Sequence, residues 1–263
     1  MSDLAVSQKC RVWNVFNILL VVVTTGIIPH SLHASEQFEN RQEGYPASLQ
    51  PLANVLRGQY SEGLVSTQLL VQLAEVYLDM GDDLYIQDSE RLRAYQDGAE
   101  FALQALTLDQ HNASAHFLYA ANLGHVAQLR GIIAAVLSIN DIMSHVKAAV
   151  FLDSSHAPAL HMLGMMYDGL PWIMGGDSQK ALHYLKLAVA ADKNYTHARL
   201  NLAKLYLKGK DDDLAKLELK ALLATRSPRG TYAWSRHHVP EAQELLKALS
   251  YNGVSVSASF QKK

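Results

Sequence analysis

Apolar residues recur at i, i+3, i+4 and i+7 from Leu64 onward, the period of amphipathic helices, most clearly between Leu160 and Tyr206. Leu160, Leu163, Gly164 and Tyr167 share one helical face, and Ala181, Leu185 and Ala188 share a face of the next helix. Leu202, Ala203 and Tyr206 then repeat the first set. Between the first two helices lies Asp168–Asp177, longer than a helix hairpin needs. Pro171 blocks continuation of the first helix because it lacks an N–H and crowds the preceding turn. Asp177 is the expected N-cap of the second. Trp172, Ile173 and Met174 are large and apolar for a connector; they either plug the end of the helix pair or face a ligand, and the plug is the expected arrangement.

The same pattern returns along the chain, which makes internal repeats the first thing to establish. Four first helices carry a small residue at Ala74, Ala120, Gly164 and Ala203, followed three positions later by Tyr77, Leu123, Tyr167 and Tyr206. The second helices share Ala105, Ala149 and Ala188, each followed four residues on by Asp109, Asp153 and Asp192. Small residues allow close helix approach, and the larger side chain fills the next groove. No alternating strand pattern precedes Val254.

With the phrases ALTLDQHNASA, AVFLDSSHAPA and AVAADKNYTHA at its helix junctions, the chain resembles the tetratricopeptide repeat family over roughly 64–224. It departs from that family in two ways. Gln110, Ser154 and Lys193 stand where proline is usual, and successive junction aspartates are 44 and 39 residues apart rather than about 34. The resemblance implies an all-α fold: a right-handed superhelix of about four tetratricopeptide-like helix hairpins with a C-terminal capping helix. The expected organisation is a signal peptide or anchor over 1–34, a flexible lead-in over 35–63, a helical repeat domain over 64–250 and a tail over 251–263.

The N-terminus bears on location. Lys9 and Arg11 precede Val12–Ile28, which carries no charge, and Ser31-Leu-His-Ala34 offers a small-residue exit. That is the order of a secretory signal peptide. An uncleaved membrane anchor is the alternative, the apolar run being near the lower limit for spanning a bilayer. The expected location is therefore outside the cytoplasm, in the periplasm, or at the inner membrane. The composition is otherwise that of a globular protein, 49% hydrophobic and 18% charged over 263 residues. A net charge of −2 gives no general affinity for nucleic acid. Cys10 is the single cysteine, so there is no disulfide framework and no zinc-thiolate site.

Familiar catalytic signatures are absent. There is no phosphate-binding glycine loop, nucleophile elbow or metalloprotease helix motif. His111/His116 and His156/His161 stand at i, i+5, poor ligand spacing on a helix, and His237-His238 diverge by about 100° on one. No enzyme activity, cofactor or metal is expected, and only a tertiary fold could gather the histidines.

A narrower resemblance rests on Pro171, Trp172, Gly175, Gly176, Asp177 and Ala181, with Trp234 before the last helix. These are similar to the T component family associated with some bacterial tripartite (TRAP) transporters. It implies an exported, all-helical binding or adaptor protein, although the lipid-modified cysteine common in that family is missing here. In tetratricopeptide proteins ligands contact fixed places on the first helices. The matching positions here include Phe117, His161, Met165, Leu200 and Lys204, with Trp172 at the mouth of the third hairpin. This groove is apolar at its centre and carries one lysine, which points to an apolar or amphipathic small ligand handed to a transporter substrate-binding subunit. The alternative is a protein–protein scaffold docking an envelope protein or peptide, with self-association a further option. The lead-in or the last helix could also fill the groove.

Overall fold

The computed structural model describes residues 44–260, and side chains only as far as 250. The chain divides into two units, Met1–Gly44 and Tyr45–Lys263, and everything below concerns the second. The expected signal peptide or anchor over 1–34 lies outside the described residues.

Among the described residues ten helices of more than one turn follow one another: α1 (Leu49–Ser61), α2 (Thr67–Asp79), α3 (Asp88–Leu108), α4 (Ala113–Arg130), α5 (Ile132–Leu152), α6 (Ala157–Gly169), α7 (Ser178–Ala191), α8 (Thr196–Lys208), α9 (Asp212–Leu223) and α10 (Val239–Phe260), with single π turns at Met80–Leu84 and Trp234–His238. They form the expected right-handed superhelix of tetratricopeptide-like hairpins, paired α2–α3, α4–α5, α6–α7 and α8–α9, with α10 closing the C-terminal end. Among the described residues there is no strand. Apolar burial is distributed as clusters strung along the array, from Leu49, Leu73 and Tyr77 at one end to Leu202, Leu219 and Leu249 at the other. This is how a solenoid packs, each pair against its neighbours.

The small-residue alignment explains the pairing. Ala74, Ala120 and Ala203 are fully buried. At Gly164 a Cβ would lie 2.9 Å from Leu185 Cγ and 3.2 Å from the Ala181 carbonyl, so α6 and α7 approach as closely as a bare backbone permits. The three junction aspartates share one local device. The side chains of Asp109, Asp153 and Asp192 each accept the backbone N–H two residues on, at 2.9, 2.9 and 2.8 Å. The next helix begins four residues after each aspartate. This side-chain turn bends the chain where the family uses proline.

Two segments differ from expectation. Within the lead-in expected over 35–63, Leu49–Ser61 is a helix with Leu49, Ala53 and Leu56 buried against α2. The exposed residues Gln50, Asn54, Arg57 and Gln59 form the solvent face of α1. In the expected tail over 251–263, α10 continues to Phe260.

Candidate functional site

Trp172 is not a plug. It is 85% exposed, Ile173 is exposed beside it, and both lie in a single 3₁₀ turn, Trp172–Met174. The connector closes on itself instead. The N–H groups of Met174 and Gly176 donate to the Pro171 carbonyl at 2.8 and 3.0 Å, and the Asp177 N–H donates to the Tyr167 carbonyl at 2.9 Å. A Cβ at Gly176 would collide with the Leu170 carbonyl, so this tight closure requires glycine. The mouth of the hairpin is filled by Tyr167 stacked on Tyr184 at 5.6 Å, with the Lys180 ammonium over the Tyr167 ring. Asp177 caps α7 as expected, accepting from the Gln179 and Lys180 N–H groups.

The concave face lined by α2, α4, α6 and α8 holds the remaining candidates, and its C-terminal half is occupied by the chain itself. Residues 229–241 cross it as a strap: they run helically through Thr231–Ala233 and the π turn Trp234–His238 and include the first three residues of α10. The Arg229 N–H donates to the Asn194 carbonyl at 3.0 Å, and its guanidinium meets Asp192 at 3.4 Å and lies over the Tyr195 ring. His238 Nδ1 lies 2.9 Å from Thr196 Oγ1. Lys204 Nζ pairs with Glu241 at 2.6 Å. Val239 and Ala242 join the cluster that covers Leu200, while Trp234 Nε1 donates to the Leu222 carbonyl. Nearer the other end, Tyr45 stacks edge-to-face on Tyr232 at 5.4 Å and donates to Asp83.

The apolar groove expected at Phe117, His161, Met165, Leu200 and Lys204 is therefore not one open surface. Leu200 is 2% and His161 7% exposed, and Lys204 is engaged with the strap. Phe117 is half-buried against the His156 ring at 5.2 Å. Met165 and Lys204 keep exposed side chains, and Trp172 stands bare in the 3₁₀ turn of the α6–α7 connection. The residues that hold the strap, Asp192, Tyr195, Thr196, Arg229, His238 and Glu241, were not among those expected. One signal existed in the sequence. Arg226-Ser-Pro-Arg-Gly230 is too polar and too rich in breakers to continue α9, and too long for a hairpin turn.

Tertiary packing gathers histidines that the sequence spaces badly. The rings of His161, His197 and His238 form a row, with centroids 4.6 and 5.0 Å apart. The Asn201 amide N–H donates to His161 Nε2 at 2.8 Å. Nδ1 therefore carries the proton and donates to the Tyr195 hydroxyl at 3.2 Å. Burial pushes the pKa of His161 well below its ordinary value, with His197 and His238 adding to the effect. His238 is pushed down to about 4 by burial, then by His197, His237 and Lys204. His197 keeps an exposed edge, yet burial of the rest of its ring also lowers its pKa, helped by Lys204. All three rings are neutral at pH 7, and the row is a packing core between strap and groove. Among the described residues, no three His, Cys, Asp or Glu side chains converge to hold a metal.

Comparison with known proteins agrees with the repeat architecture. The C-terminal part, residues 173–235, matches the tetratricopeptide repeat model. A thermophilic tetratricopeptide-repeat protein of Thermus thermophilus superposes with a TM-score of 0.55 at 16% identity, over 80% of this chain and 93% of that one. MamA of Desulfovibrio magneticus superposes at 0.47 and 17% identity, over 76% and 97%. Regulator of microtubule dynamics protein 1 of Bos taurus is 27% identical over 173 residues, 60% of this chain. The chain spans about half the length of that curated relative, 54%. The sequence model of regulator of microtubule dynamics protein 1-3 matches residues 31–167, just over half of the 263 residues, and the chain belongs to that family.

Proposed function

We propose that the chain is a non-catalytic scaffold that docks a protein partner on its concave face. The observation that carries this reading is the strap. Residues 229–241 lie in the groove as a bound peptide would, held by backbone and side-chain contacts to Asp192, Asn194, Thr196 and Lys204. A groove that holds its own polypeptide this way is built for polypeptide. A small apolar ligand for a TRAP-type transporter would need an open apolar floor at His161 and Leu200, and that floor is covered. Neither matching family model is the T component family.

Photo-crosslinking in the native host tests the proposal. A crosslinker replacing Phe117 or Met165 is expected to yield protein adducts, more of them in Glu241→Lys, where the strap is loosened. A crosslinker at Lys147, on α5, is the control. Absence of protein adducts, with an apolar fluorescent probe that binds wild type and not Met165→Glu, would favour the small-ligand reading.

The relative's name gives a second reading, a microtubule-linked partner. Co-sedimentation with polymerised tubulin tests it, and a direct contact would have to form despite a net charge of −2. Export or membrane anchoring through Lys9, Arg11 and Val12–Ile28 is part of the same proposal. Mass spectrometry of the mature chain distinguishes them: a start after Ala34 means cleavage, and a start near Met1 means an anchor.

A further inference from the structure

The first helices α2, α4, α6 and α8 alternate with the second helices, so their C-terminal ends and the connections that follow lie along one edge of the array. Contacts tie neighbouring repeats together near this edge: His125 of α4 pairs with Asp82 of the preceding connection at 3.5 Å, and Lys208 at the end of α8 pairs with Asp168 at the end of α6 at 2.6 Å. Two neighbouring connections on this edge are unusually apolar, those after α4 and α6, whereas the one after α8 exposes Lys210 and Asp211. α6 and α8 stop five residues past Gly164 and Ala203, but α4 runs ten residues past Ala120, to Arg130. The α4–α5 hairpin therefore projects about 7 Å further. Gly131, at a φ of 96°, reverses the chain in one residue. The projecting end of α5 then presents Ile132, Ile133 and Leu137, each at least three-quarters exposed, with Val136 between them. No charged residue occurs from Gly131 to Asn140. The next connection adds Trp172 and Ile173, equally bare.

We propose that this edge lies on a lipid bilayer, with the α4–α5 tip and the Trp172–Ile173 turn seated at the boundary between headgroups and acyl chains. Three observations favour lipid over a protein surface. The apolar side chains sit on two separate convex tips, a shape that enters a fluid layer more readily than it matches a complementary face. Several carboxylates along the edge are turned to partners of this chain: Asp82 to Tyr95, Asp83 to Tyr45, Asp168 to Lys208 and Asp177 to Lys180. Arg130 stands exposed beside the tip, where its long stem reaches headgroup depth, and a tryptophan ring suits the same zone. The sequence also supplies a way to hold the domain near such a surface. Val12–Ile28 is uncharged, and the residues from there to Gly44 reach roughly 50 Å when extended. The proposal is independent of what the concave groove binds.

The test uses the full chain in the Trp13→Phe background, bound to phosphatidylcholine vesicles with and without brominated acyl chains. Trp172 emission is obtained by difference against Trp172→Phe. The expected result is a blue shift on binding and quenching by the brominated lipid. Ile132→Asp/Ile133→Asp should lower that quenching several-fold while the chain stays on the vesicles through its N-terminal segment. Equal, unquenched emission in both vesicle types overturns the proposal, as does quenching that the double variant leaves unchanged. Shielding of Trp172 without lipid, at the mass of two chains in sedimentation velocity, overturns it in favour of self-association.

Discussion

Trp172 and His238 carry opposite burdens for single residues. The exposed indole contributes little packing, so Trp172→Ala should shift the urea midpoint by less than about 0.5 kcal/mol. A loss of 3–5 kcal/mol, roughly the cost of deleting a buried ring, would contradict its place on the surface. His238, 8% exposed, matters more through its proton than its volume. The folded pKa values of His161, His197 and His238 lie below the ordinary value of 6.5. The unfolded chain therefore binds more protons between that value and the folded ones, and stability falls as pH drops. The loss begins near pH 6.5 and continues toward 4. With a folded pKa of about 4, His238 alone should remove about 2 kcal/mol by pH 5. Chemical denaturation of wild type and His238→Gln at pH 7.5 and 5 measures it: the variant should show the smaller decline. Equal declines would mean that His238 is not protonated on unfolding in this window.

At the scale of the element, close helix approach is the quantity to perturb. Gly164→Leu places a side chain where a Cβ already meets Leu185 and the Ala181 carbonyl, and should cost about 1–3 kcal/mol. Urea melts decide it, and an unchanged midpoint would mean that α6 and α7 are not in that register. The helix starts are specified one by one. Asn112 accepts the Ala115 N–H at 2.9 Å, so Asn112→Ala should cost about 1 kcal/mol. These features were legible in the sequence because they are local. A small residue every repeat, an aspartate four positions on and the Asp177 cap of α7 act within one or two turns of where they stand. The α1 helix was less legible. Its apolar positions Leu49, Ala53 and Leu56 are few, and Pro46 and Pro51 lie at its start, where proline is tolerated in a first turn.

For the whole molecule, the strap decides how much of the concave face is available. Glu241→Lys sets two cations against each other at Lys204, close to His238. Hydrogen exchange across 229–241 should then quicken while the global urea midpoint moves by no more than about 1 kcal/mol, because the lost pair is half exposed. Unchanged exchange there would mean that the apolar contacts of Trp234, Val239 and Ala242 hold the strap without the ion pair.

The sequence by itself determined the repeat helices from α2 onward, their pairing and the all-helical repeat fold, since periodicity and small-residue spacing are properties of neighbouring positions. It could not determine what fills the concave face. That depends on residues some forty apart in sequence meeting in space: Thr196 with His238, Asp192 with Arg229, Lys204 with Glu241. It also misjudged Trp172, because an apolar residue in a connector reads the same whether it faces in or out. Only the packed structure, with Tyr167 and Tyr184 already filling the hairpin mouth, leaves the indole no cavity to enter. Periodicity reports which face of a helix is apolar, and tertiary contact alone decides which apolar side chains find a partner.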